Sequence, residues 1–241
     1  MGLVHQLNDV TVDEPPWPLL LEVVRATPPG SWVLMGGMMV HLHALRARVT
    51  PSRPTTDVDV LLDLKGIASS VSAVASPLLG IGFEPVEPGE HFHRFTRGDD
   101  VVDIMVANSA GRARWAQRPI MRTAGAGYAL QDPDTYLIPT AAEPIEIRVP
   151  SIMAALVLKG AAYRDDQRDR DRHLEDLTVL LACDDRTDLH DRYAQIPKSQ
   201  KAHLRPAVDR LSASGHPAWL ILDPYDRALA EQAFAALVAA L

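Results

Sequence analysis

The stretch "DVDVLLDL", residues 57–64, limits most tightly what this chain can become. Its valines and leucines read as a buried strand, yet Asp57 and Asp59 alternate with Val58 and Val60. Side chains two apart in a strand share a face, so the two carboxylates project together while the valines enter a core. Such neighbours repel each other unless a cation lies between them. Mg²⁺ suits that place, because it takes oxygen ligands and combines one or two carboxylates with substrate phosphates.

A further carboxylate, Asp103, sits in "VVDIMVA" (101–107), an apolar run where a charge is equally out of place. If that strand lies beside 57–62, Asp57, Asp59 and Asp103 converge. Three carboxylates can hold two metal ions and activate an attacking hydroxyl by deprotonation. Upstream, Gly36 and Gly37 follow the short buried strand "WVLM" (32–35) and precede a helix at 38–48. Glycine lets a backbone approach a ligand closely, and a helix N-terminus offers free N–H groups to phosphate. Each feature is ordinary alone: Asp-X-Asp is usually solvated, a Gly pair is usually a turn, and Asp103 could pair with an arginine. Their order on apolar strands favours a phosphate-binding turn, a metal-binding strand and a third acid.

The remaining pattern sets the architecture. A helix is expected at 16–27 and another at 66–82, and "HFHRFT" (91–96) and 101–107 flank a hairpin turn at Gly98. "IEIRV" (145–149) reads as a strand, and after Pro150 the period becomes helical. The expected fold class is α/β (α+β), a mixed sheet with flanking helices over 1–150 followed by a helical half over 151–241. The 241 residues carry a formal net charge of -7, so nucleic acid would need a local basic patch. Cys183 is the sole cysteine, which rules out an internal disulfide and a cysteine-built zinc site. The opening residues lack a basic region ahead of an apolar one, and no apolar run nears the roughly 20 residues of a membrane span. A cytoplasmic protein without a membrane partner is the expectation.

Gly36-Gly37 followed by Arg53-Pro54-Thr55-Thr56-Asp57-Val58-Asp59 resembles the "GG … R-x-[ST]-x-D-[IV]-D" pattern of the polymerase-β-like nucleotidyltransferases. The branch it resembles is that of the AbiEii-type abortive-infection toxins. "VPSIMAALVLKGAAYRDDQRDRDRHLEDLTVLL" (149–181) is similar to that branch's later motif, a lysine ahead of an arginine-rich turn and a "D-x-x-D-L" helix. The resemblance implies that Asp57 and Asp59 bind metal, with Asp103 as the third catalytic and metal-binding acid. It implies that Gly36, Gly37, Arg53 and Thr55 serve the nucleotide, Lys159 the triphosphate, and Asp176 the later helix acid. Asp169 and Asp171 compete with Asp176 for that last position. Arg164, from its place on the helix beside Lys159, is a further candidate for the nucleotide. Where many members of the wider superfamily have Gly-Ser, this chain has Gly-Gly, as in the toxin branch.

The implied activity is transfer of a nucleoside monophosphate from an NTP co-substrate to an acceptor hydroxyl, with Mg²⁺ or Mn²⁺ as cofactor. The acceptor would be a tRNA 3′ end or a protein, and an antitoxin is an expected partner. Two alternatives stand beside it: adenylylation of an aminoglycoside- or lincosamide-type antibiotic, and a non-catalytic protein that binds nucleotide or a partner. Lys159, alone in an apolar helix, can instead snorkel its amine to water. Arg168, Arg170 and Arg172 interleave with aspartates, as on a solvated, self-paired face. His91 and His93 share ligand-like strand spacing but lack an evident third ligand.

Overall fold

The computed structural model describes residues 2–8, 10–51, 53–65, 70–86, 89–213 and 215–241. It divides into two units, one of residues 1–39 and 55–150, the other of residues 40–54 and 151–241.

The first unit opens with β1 (Val4–Gln6), α1 (Trp17–Ala26), β2 (Trp32–Met35) and the start of α2 (Gly36–Ala47). It continues with β3 (Val58–Leu62), α3 (Val71–Gly80), β4 (Glu84–Pro85), β5 (Arg94–Arg97) and β6 (Asp100–Ala107). The short pieces β7 (Arg114–Trp115), β8 (Arg118–Pro119), β9 (Arg122–Thr123) and α4 (Ala126–Ala129) lead to β10 (Asp134–Ile138) and β11 (Ile145–Val149). The main sheet runs β2–β3–β6–β5–β4, with β9 beside the end of β6. Val58, Val60, Val102 and Ile104 are fully buried on the face opposite Asp59 and Asp103. A smaller sheet, β1–β10–β11, is set by long-range pairing of Val4 with Thr135 and of Asp134 with Val149. β10 is a strand that the sequence pattern does not announce.

Ser70 accepts a hydrogen bond from the Ala73 N–H and caps α3. The helix expected over 66–82 therefore occupies 71–80, and residues 66–69 lie outside the described residues.

Three registers line up one row of the main sheet. Met35 is opposite Asp59, Asp59 opposite Asp103 in a parallel pair, and Asp103 opposite Arg94 in the β5–β6 hairpin. Residues in register on neighbouring strands present the same face, so Asp59, Asp103 and Arg94 stand side by side.

The second unit holds α5 (Ile152–Asp165), α6 (Asp171–Ala182), α7 (Leu189–Ala194), α8 (Lys198–Leu211) and α9 (Pro224–Ala240). α5 is apolar nearly all round and packs on α6 and α8, as expected of a helix buried within a bundle. Asp223 caps α9 through the N–H groups of Tyr225 and Asp226, ahead of Pro224 in the first turn. Residues 40–54, which precede the β3 strand in sequence, join this unit. Arg46 donates to the Cys183 carbonyl at 2.6 Å, and Arg53 reaches Asp176.

Candidate active site

In the α/β unit the glycine pair opens α2 directly after β2, where the sequence pattern suggested a separate turn. Gly36 adopts φ +70°, a left-handed conformation that disfavours side chains. A Cβ on Gly36 would lie 1.7 Å from Asp59 Oδ2, and one on Gly37 would lie 2.5 Å from Thr55 Oγ1. The Asp59 carboxylate and the Thr55 hydroxyl thus close directly on the backbone of the helix start. Asp57, just ahead of β3, accepts a hydrogen bond from Thr56 Oγ1 at 3.1 Å.

Asp103 is buried, and both of its oxygens are taken by one guanidinium. Arg94 Nε donates to Oδ1 at 2.8 Å and Nη2 donates to Oδ2 at 2.7 Å. The Arg94 side chain remains 40% exposed. Its pKa is raised above the ordinary arginine value, chiefly by the hydrogen bond to Asp103, with the charges of Asp103, Asp57 and Asp59 adding to it against the cost of burial. All three acids therefore act on the same cation.

Among the described residues no group of three or more His, Cys, Asp or Glu side chains is arranged to hold a metal ion. The expected trio of Asp57, Asp59 and Asp103 is not assembled as such, because Arg94 occupies Asp103. The charges of Asp57 and Asp59 both act on Arg94, and two carboxylates are a donor set of the kind that holds Mg²⁺ when phosphates complete its shell. The His91 and His93 carbonyls accept hydrogen bonds from Arg118 and from the Ile104 N–H, and the pair belongs to no metal-binding group among the described residues.

The helical unit carries a separate polar centre. Lys159 is 5% exposed and Asp176 is 2% exposed. Lys159 Nζ donates to Asp176 Oδ2 at 2.6 Å, and Arg53 Nη2 approaches the same oxygen at 3.5 Å. The lysine does not snorkel; its amine ends on a buried carboxylate. Asp169 and Asp171, the other candidates for this acid, are exposed. One turn before Asp176 on α6, His173 is buried, with its Nε2 3.5 Å from Asp166 Oδ2. Burial first, then the Lys159 and Arg172 charges, hold its pKa down at about 4.

Arg164 does not join Lys159. It binds Asp165 at 2.6 and 2.8 Å and His203 Nδ1 at 2.7 Å. Arg172 donates to Asp166 at 2.9 Å, Arg168 lies 3.5 Å from it, and Arg170 lies over the Tyr163 ring at 4.3 Å. This run is self-paired, as its alternating charges imply.

The profile of a protein family described as nucleotidyl transferase AbiEii toxin, type IV TA system, matches residues 19–235. The chain belongs to the AbiEii family. The match runs from α1 into α9 and so takes in the glycine pair, the acid row and the Lys159–Asp176 pair. No curated protein matches the chain. Among solved structures, ANT(2″)-Ia in complex with adenylyl-2″-tobramycin is similar, at 14% identity over 89% of this chain and 96% of that chain, with a TM-score of 0.37. A likeness of that degree bears on neither fold nor substrate.

Arg94 is the residue of this AbiEii-family site that the sequence motifs do not mark. Its signal is the hairpin. With Gly98 and Asp99 in the turn, Arg97 pairs with Asp100, and three steps back along both strands Arg94 meets Asp103.

Proposed function

We propose that this AbiEii-family chain transfers a nucleoside monophosphate from an NTP to an acceptor hydroxyl. The observation that carries the reading is the closure of the Asp59 carboxylate onto Gly36, which sets a carboxylate beside the amides of a helix start. Helix-start amides suit phosphate, and a carboxylate beside them suits the cation that accompanies it. Asp57 and Asp59 are the residues that would hold Mg²⁺ or Mn²⁺, and such an ion supplies charge neutralisation to the phosphates when bound. The acceptor oxygen bonds to the α-phosphorus, the bond from that phosphorus to the bridging oxygen breaks, and pyrophosphate leaves. The hydroxyl proton passes to water. Asp103 gives both of its oxygens to the Arg94 guanidinium and is not placed to take that proton. Within the helical unit, Asp176 fixes the Lys159 amine.

A nucleic-acid acceptor is favoured over a cationic antibiotic. Residues 104–131 contain Arg112, Arg114, Arg118 and Arg122 and neither Asp nor Glu, in a chain of net charge -7. Arg122 spends its hydrogen bonds on the Asn108 and Gly111 carbonyls, and Arg114 on that of Gln117, which leaves the charge of each unneutralised by those partners. Such a local basic stretch is what a phosphate backbone needs. An antitoxin partner is part of the same proposal, in keeping with the toxin–antitoxin description of the family.

Incubation with α-labelled NTPs, Mg²⁺ and, in parallel, total tRNA, a protein extract or an aminoglycoside tests the reading. Label on tRNA is expected. Label on the antibiotic alone contradicts the acceptor, and no label anywhere despite nucleotide binding contradicts the transferase.

A further inference from the structure

The acid row has two unlike ends. Gly36 and the helix-start amides follow Met35, in register at one end. Arg94 stands at the other, beyond Asp59 and Asp103. Three steps between strands separate the backbones of Met35 and Arg94, a span of about 14 Å at the usual strand spacing. In phosphoryl transfer the attacking and leaving oxygens lie roughly in line on opposite sides of the reacting phosphorus. This inference rests on the reading of the Gly36 end as the phosphate cradle. The pyrophosphate then leaves toward Gly36, and the acceptor enters from the side of Arg94.

Arg94 is built to be held still. Asp103 takes Nε and Nη2 in a two-point contact, and Nη1 makes no hydrogen bond among the described residues. A guanidinium fixed by a buried carboxylate, with a free nitrogen and an exposed side chain, is arranged to receive an anion. Asp59 and Asp103 stand in the row between Arg94 and the Gly36 end, so an anion on Arg94 is one that the acceptor carries rather than the triphosphate.

We propose that Arg94 binds a phosphate of the acceptor next to the attacking hydroxyl, and that Asp103 is its positioning residue rather than a metal ligand. The site thereby selects acceptors that carry a phosphodiester beside the hydroxyl and rejects cationic ones.

The test uses the full chain, α-labelled NTP, Mg²⁺ and a short RNA with a free 3′ end. In a second RNA a methylphosphonate replaces the last internucleotide phosphate and removes its charge. Wild type is expected to lose about tenfold in kcat/KM on the neutral linkage, the size of one charge-assisted hydrogen bond. Arg94→Met is expected to lose about the same on native RNA and nothing further on the neutral RNA, as coupled partners do. Its KM for NTP stays within about twofold, since that interaction is remote from the change. Arg94→Lys recovers only part, because an ammonium cannot make the two-point contact. Mn²⁺ titration followed by electron spin resonance supplies a readout independent of turnover. Asp103→Asn keeps the Mn²⁺ that wild type binds with a non-hydrolysable NTP, and Asp57→Asn loses it.

Equal sensitivity of Arg94→Met and wild type to the neutral linkage overturns the proposal. So does a rise in NTP KM in place of acceptor KM, or loss of Mn²⁺ from Asp103→Asn. Transfer by wild type only to a protein or an antibiotic overturns it too, while leaving the transferase reading standing. Absence of all transfer and of nucleotide-linked Mn²⁺ binding instead removes the reading beneath it.

Discussion

Asp59 Oδ2 lies 1.7 Å from the point where a Cβ on Gly36 would sit, so the carboxylate and the glycine occupy one space between them. The left-handed φ of +70° at Gly36 is a second reason that the position takes no side chain.

Gly36→Ala is therefore expected to push the Asp59 carboxylate out of place. Strain at the left-handed position and the clash together cost about 1–3 kcal/mol of stability. Misplacing a reacting group by about 1 Å can cost on the order of a hundredfold in rate. Urea unfolding and an α-label transfer assay separate the two effects: transfer falls far more than folded stability does.

The Lys159–Asp176 pair predicts an asymmetry. Removing one partner of a buried ion pair costs about 3–5 kcal/mol when the other is left uncompensated. Asp176→Ala leaves the Lys159 amine without its hydrogen-bond acceptor, whereas Lys159→Met leaves Asp176 with Arg53 at 3.5 Å. Urea midpoints with unchanged slopes are expected to show Asp176→Ala as the more damaging of the two.

His173 makes stability depend on pH. Its folded pKa of about 4 lies below the ordinary 6.5, so in this range the unfolded chain binds a proton that the folded chain refuses. Lys159 on α5 and Arg172 on α6 oppose the added charge, while Asp176 and Asp166 favour it. Stability is full above pH 6.5 and declines as pH falls toward 4, by at most about 3 kcal/mol from this residue. Asp166 acts in a lower window: its pKa falls from 3.8 to about 2, chiefly through the Arg168 N–H, so its contribution is present above 3.8 and lost toward 2. His173→Gln is expected to flatten the melting temperature between pH 7 and pH 4.5 while leaving a loss below pH 4.

The acid row was legible because strand periodicity is local. Asp57, Asp59 and Asp103 stand out as charges on apolar strands, and the Gly98 turn contains the register that delivers Arg94. What escaped was set by distant partners. β10 exists because Asp134–Ile138 pairs with β11 and with β1, some 130 residues earlier in the chain. Residues 40–54 pack with the helical unit through Arg46 and Arg53, whose partners Cys183 and Asp176 lie far along the chain. That Asp176, and not Asp169 or Asp171, is buried against Lys159 is something alternating charges do not encode.

The most direct measurement compares wild type with Asp57→Ala and Asp59→Ala, using α-labelled NTP, Mg²⁺ and total tRNA, with each variant's melting temperature recorded alongside. Wild type is expected to label the acceptor and release pyrophosphate, and both variants to remain folded and label nothing. Transfer by either folded variant at the wild-type rate contradicts the assignment of this carboxylate pair to the chemistry.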